Sequence, residues 1–253
     1  MRAVTSTRLR TALVVLVSML CATPGIVPPG CRLVLADDSP SFDGLETSRP
    51  RAGRSLPSWS SQFSPTIVFL GDSFTEGPGL APAETYPALI QEKLDEAGIP
   101  LTVINAGVGG NTASEGLARL DYWLARKPLF LVVNFGTNDA NGATTAPAVT
   151  SEWLRVNLDW IVKRALAKKT CVVLMPTKLP PSHDPALVAG FKAAFEAVSR
   201  DNQVPLGPGL LDGVWGDEKL WLRNGHPNAM GHRVIAGNVW HALEPELERR
   251  LGR

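Results

Sequence analysis

The sequence holds little of what would declare a class outright. It has three cysteines in 253 residues, Cys21, Cys31 and Cys171. So placed, they build neither a disulfide framework nor the paired spacing of a zinc site. Charge of one sign is also missing. Lys and Arg total 25 against 24 Asp and Glu, a net charge of +1, which leaves no electrostatic footprint for nucleic acid and no acidic tail. No apolar run reaches the ~20 residues that span a bilayer, and no internal repeat or low-complexity tract occurs. The G-x-x-x-x-G-K-[ST] phosphate loop is absent. GVGG at 107–110 is only part of a dinucleotide fingerprint, since Thr112 stands where the third glycine belongs. His183, His232 and His241 lack a convincing partner, so no metal site is expected.

What is present begins with an export pattern. Arg8 and Arg10 precede TALVVLVSML, a run of the length of a signal-peptide apolar region, and small-residue cleavage sites follow at Ala22 and Ala36. Residues 1–36 therefore read as a signal peptide. The mature protein is expected in the periplasm or outside a bacterial cell, with no stable membrane insertion. Residues 37–64 are rich in Ser, Pro, Arg and Gly without helical or alternating period, and read as a flexible linker. Cys171, in the apolar run TCVVLM, reads as a core thiol.

From residue 65 to 253 the texture is that of a folded domain. Apolar β-branched runs at 66–72, 101–107, 129–136 and 171–176 read as buried strands, with a weak fifth near VPLGPGLL. Helical patterns lie between them: 112–126 as one helix, about 150–168 with Leu154, Leu158, Ile161 and Val162 inward, and a last helix carrying Ile235, Val239, Leu243 and Leu247. Strands alternating with helices predict a three-layer α/β/α sandwich on a mostly parallel, flavodoxin-like five-stranded sheet. Such sheets bind ligands beyond the carboxyl ends of their strands.

Four loops belong there: GDSFTEG (71–77), AGVGGNT (106–112), FGTND (135–139) and RNGHPN (223–228). Together they offer a hydroxyl, approachable glycine amides, a carboxamide and an imidazole, the set that acyl transfer needs. In this order the blocks resemble those of the SGNH, or GDSL-type, hydrolases over roughly residues 66–248, and NTASEGLARL and NAMGHRVIAGNVWHALEP are similar to the bacterial arylesterase and thioesterase I group. The resemblance implies Ser73 as nucleophile and His226 as base. It implies an oxyanion hole of Ser73, Gly110 and Asn138, no cofactor, and short esters, thioesters or lysophospholipids as substrates. Asp72 reads as a brace for the serine loop. A module of this fold that binds an acylated polymer or lipid with impaired catalysis, or a carbohydrate O-acetyl esterase, is the alternative.

One position departs from the family. The last block is normally Asp-x-x-His, and Arg223 occupies the acid's place. A guanidinium only donates, so it cannot accept the Nδ1 proton of His226. The acceptors left open are the Asn224 side chain, a backbone carbonyl, Asp212 and Asp217. Trp215 and Trp221 are candidates for the core or for the rim of an acyl pocket. Oligomeric state is not legible.

Overall fold

The computed structural model describes residues 65–142 and 146–252; the expected signal peptide and linker lie outside them. The chain enters strand β1 (Thr66–Gly71), whose side chains from Ile67 onward are buried. It turns into the short helix α1 (Ser73–Glu76) and then α2 (Tyr86–Glu96). Next come β2 (Thr102–Gly107), α3 (Ala113–Ala118), α4 (Leu120–Leu124) and β3 (Phe130–Asn134). They are followed by α5 (Thr137–Asn141), α6 (Pro147–Ala167), β4 (Cys171–Leu174), α7 (Pro185–Asn202) and α8 (Ala229–Leu251).

The four strands are all parallel, in the order β2-β1-β3-β4. Such a sheet must be covered on both faces, and strand residues alternate between two cores. Val68, Leu70, Leu131 and Val133 pack with residues of α3, α4, α6 and α7. Ile67, Phe69, Phe130 and Val132 pack with Ile90 and Leu94 of α2 and with Ile235, Val239, Leu243 and Leu247 of α8. The register is level at the carboxyl edge: Gly71 stands beside Gly107 on one side and Asn134 on the other. Three of the four polar loops therefore leave the sheet side by side.

Three details differ from the sequence expectation. The fifth strand is reduced among the described residues to one parallel bridge, Leu174 to Leu206, held by Leu174 N–H to Pro205 O at 3.0 Å and Gly207 N–H to Leu174 O at 2.8 Å. Pro205 carries no N–H, and the next ladder donor beyond Gly207, the Gly209 N–H, donates instead to Asp212 Oδ2 at 3.0 Å, so the ladder extends in neither direction. The helix expected over 112–126 breaks into α3 and α4 at Arg119 (φ −102°), whose guanidinium is drawn into the sheet edge. Cys171 is buried, as its apolar run requires, but disulfide-bonded rather than a free thiol.

Candidate active site

At the end of β1 the chain passes directly into α1. Asp72 is fully buried and caps that helix, accepting Phe74 N–H through Oδ1 at 2.9 Å. Ser73 follows as the first helical residue, half-exposed, with its amide in the first turn, where no intrahelical acceptor exists. The side chain after it, Phe74, is buried and supports the loop from below.

The β2 loop closes on α1 because Gly107 lacks a side chain. A Cβ there would lie 2.2 Å from Glu76 N. A Cβ on Gly109 would lie 3.9 Å from Ser73 Cβ, so this loop runs alongside the serine. Gly110 adopts φ +78° with open space before it, a conformation that side chains strain. Thr112 then starts α3 with a capping box: Glu115 Oε2 accepts Thr112 N–H at 2.7 Å.

From the β3 loop, Asn138 points its amide back across the site. Its Nδ2 donates to Asn111 O at 2.9 Å and lies 3.5 Å from Asp72 Oδ2. Asp139 beside it accepts Ala113 N–H at 3.1 Å. Arg119 ties the same loops from behind, donating to Gly71 O at 2.8 Å, Ala106 O at 2.7 Å and Asn111 Oδ1 at 2.9 Å. One guanidinium thus satisfies carbonyls at the ends of two strands and holds the loop that receives Asn138. Arg119, Asn111 and Asp139 escaped the sequence reading. No signal marks Arg119 in the sequence, because it falls off the apolar face that Ala113, Leu117, Leu120 and Leu124 define, where a solvated arginine is ordinary.

His226 comes from a tight loop. Trp221 and Pro227 form an antiparallel bridge, Leu222 N–H donates to His226 O at 2.7 Å, and Gly225 turns at φ +79°. Asn224 fastens the loop to the one after α1, its Nδ2 donating to Pro78 O at 3.3 Å. The imidazole packs on Phe74 with ring centroids 5.9 Å apart, which sets it next to the serine turn. No hydrogen bond joins Ser73 to His226; such contacts tighten once substrate is bound. The Nδ1 atom lies 3.2 Å from the backbone carbonyl of Asn224, while the Asn224 side-chain oxygen accepts the His226 amide at 3.1 Å. Neither distant carboxylate reaches the ring. Asp212 holds Lys178 Nζ at 2.5 Å and Gly209 N–H at 3.0 Å, and Asp217 caps Lys219 N–H at 3.0 Å. Of the acceptors the sequence leaves open, the Asn224 carbonyl is the one that lies within hydrogen-bond distance of Nδ1.

The carboxylates behind the serine are electrostatically expensive. Burial pushes Asp72 up to about 7, and the nearby Asp139 charge adds to it against the Phe74 hydrogen bond. Burial likewise pushes Asp139 up to about 6. A carboxyl raised in the fold contributes stability that is complete below its ordinary pKa and is lost as pH rises through the folded value. Asp72→Asn keeps an oxygen for the Phe74 amide and removes the titration. Its stability relative to the parent is therefore expected to improve progressively from about pH 4 to about pH 8, by about 1–3 kcal/mol at the upper end. Thermal melts of both proteins across that range test this, and a pH-independent difference overturns it.

The remaining histidines stand apart from this chemistry. His232 is buried and accepts Tyr86 N–H through Nδ1 at 3.0 Å, and burial lowers it to about 4. His183 reaches Asn141 Oδ1 at 3.3 Å, and His241 is exposed on α8. Among the described residues, no cluster of His, Cys, Asp or Glu could hold a metal ion. Trp221 donates Nε1–H to Val214 O at 3.0 Å and packs on Trp215 with centroids 4.8 Å apart, forming a rim beside Phe74.

A hydroxyl, glycine amides, a carboxamide and an imidazole gathered at the carboxyl edge of a parallel sheet define a class of acyl-group hydrolases. Residues 69–234 match the GDSL-like Lipase/Acylhydrolase family, and the chain belongs to that family as an ester-bond hydrolase. It is 33% identical to Esterase TesA of Pseudomonas aeruginosa over 184 residues, covering 72% of this chain and 89% of that one. To thioesterase 1/protease 1/lysophospholipase L1 of Escherichia coli it is 30% identical over 183 residues, 71% of this chain and 84% of that one. Its fold also superposes on the psychrotrophic esterase EstA of Pseudoalteromonas sp., inhibited by monoethylphosphonate, with a TM-score of 0.66 and 26% identity, covering 72% and 98% of the two chains.

Proposed function

We propose that this protein hydrolyses small carboxylic esters and thioesters through an acyl-enzyme on Ser73. Ser73 Oγ attacks the carbonyl carbon while His226 Nε2 takes its proton. The developing oxyanion is held by the Ser73 and Gly110 amides and by Asn138 Nδ2, donors whose bonds strengthen as charge appears. Collapse expels the alkoxide or thiolate, which His226 protonates, and water then reverses the sequence to free the acid. The His226 Nδ1–H donates to the Asn224 carbonyl throughout, so the catalytic pair is a dyad oriented by a neutral acceptor. The observation that carries this reading is the level register of Gly71, Gly107 and Asn134, which brings the three loops to one edge. Lysophospholipids enter as candidate substrates from the activity named for the Escherichia coli relative.

The test is turnover of p-nitrophenyl acetate with and without a serine-directed organophosphonate, the chemistry that inhibits the Pseudoalteromonas esterase. Inhibitable turnover with one equivalent of label on the Ser73 peptide is expected; turnover that survives labelling overturns the reading. Asn138→Ala is expected to lower kcat by about 10²–10³ with little change in KM. A change confined to KM in steady-state kinetics would place Asn138 against the ground-state substrate instead. Residues 1–36 we assign to export and 37–64 to a linker ahead of the 65–253 domain, consistent with the bacterial origin of the relatives.

A further inference from the structure

Helix α6 is apolar on two sides. Its inner side buries Leu154, Leu158, Ile161 and Val162. On the outer side, Val149, Trp153, Val156 and Trp160 recur at spacings of four, three and four, so they form one stripe roughly 17 Å long. Trp153 is 68% exposed and Trp160 55% exposed, and the two valines are exposed as well. A single exposed tryptophan needs no explanation, but an aligned stripe marks an interaction surface.

The lower end of the stripe runs into positive charge. One turn past Trp160, Arg164 pairs with Asp121 of α4, and the next residue of α4, Tyr122, is 59% exposed with the Arg126 guanidinium 3.7 Å from its ring centre. Arg126 and Lys127 occupy the turn into β3, and Lys168 and Lys169 the turn into β4. Those strands are paired from their first residues, Phe130 with Cys171. Asp121 and Asp159 are already engaged, by Arg164 and by Lys163. Arg126, Lys127, Lys168 and Lys169 have no carboxylate partner among the described residues. The chain also enters at this edge: Leu129 N–H donates to Thr66 O at 2.8 Å, so Pro65, where the 64 preceding residues end, lies beside the basic turns.

We propose that the outer face of α6, together with the basic turns before β3 and β4, is a peripheral docking surface for an anionic lipid bilayer. Exposed Trp and Tyr seat at the headgroup level with their polar ends wet, and Lys and Arg beside them pair with anionic headgroups. A second copy fits less well, because Asp121, Glu152 and Asp159 are already paired within the chain and leave a twofold mate no acid to offer these cations. The contact is interfacial: no described helix is long and apolar enough to cross a membrane. The basic turns lie at the end of the strands opposite the catalytic edge.

The test is co-sedimentation of the purified protein with phosphatidylcholine vesicles with and without phosphatidylglycerol, alongside two variants. Binding is expected only with phosphatidylglycerol, with a blue shift of tryptophan fluorescence and loss at high salt. Neutralising Lys127, Lys168 and Lys169 to Gln is expected to weaken it about 100-fold. Trp153→Ser with Trp160→Ser is expected to weaken it at least about tenfold. Hydrolysis of p-nitrophenyl acetate, measured in parallel, stays at the parent rate and shows that each variant is folded. Equal binding by parent and variants overturns the proposal. So does a parent dimer in light scattering that the tryptophan variant dissolves, which would make the face a self-contact.

Discussion

Ser73→Ala is expected to lower kcat by about 10⁴–10⁶ and to leave the melting temperature nearly unchanged, a range set by removal of the nucleophile from serine hydrolases whose oxyanion donors remain. Both halves follow from where the residue sits. The hydroxyl is half-exposed at the start of α1 and makes no hydrogen bond to any described residue, so its loss opens no cavity and strands no partner. The cap that shapes the turn is Asp72, and it remains. The residual rate reports what Gly110 and Asn138 supply without a nucleophile. Steady-state kinetics with a melt on the same sample decides the matter. Undiminished hydrolysis by a folded Ser73→Ala protein sinks the acyl-enzyme route.

His226→Ala is expected to be nearly as damaging, and the combination with Ser73→Ala no worse than either alone, because the two groups act as one unit. The informative comparison is with the acids. If the Asn224 carbonyl orients the ring, Asp212→Asn and Asp217→Asn each leave kcat within about twofold, since a carboxylate already spent on another partner contributes little to the base. A loss near 10⁴ from either would mean that it moves to the imidazole during turnover. Arg223→Asp offers a charged acceptor beside a loop built on a neutral one. It is expected to raise kcat/KM by up to about tenfold, the difference between a charge-assisted and a neutral hydrogen bond. No rise at any pH would mean that the carbonyl already does all that an acceptor can do there.

Much of this was legible before any coordinates. Buried strands and amphipathic helices announce themselves through periodicity, which is local, and Leu154, Leu158 and Ile161 of α6 or Ile235, Val239 and Leu243 of α8 are buried as their spacing requires. The loops carrying Ser73, Gly110 and Asn138 could be assigned to one edge because parallel crossovers leave few alternatives. The outer stripe of α6 was hidden for the same reason that its inner face was clear: Trp153 and Trp160 are simply more apolar residues until packing decides which side is covered.

The sequence by itself determined the alternating architecture, the four loops and the absence of an acid three residues before His226, because each is a matter of residue type and spacing along the chain. Tertiary structure alone decided what those loops do to one another. The fifth strand shrank to one bridge because Pro205 lacks a donor and the Gly209 N–H turns away to Asp212. Arg119 interrupts the helix and satisfies Gly71 and Ala106, carbonyls that are 48 and 13 residues away. The neighbour of His226 Nδ1 is a backbone carbonyl, and every residue supplies one, proline included, so no residue type could announce it. Its selection rests on the turn from Leu222 to His226 and on the prior engagement of Asp212 and Asp217, which are relations of position in space.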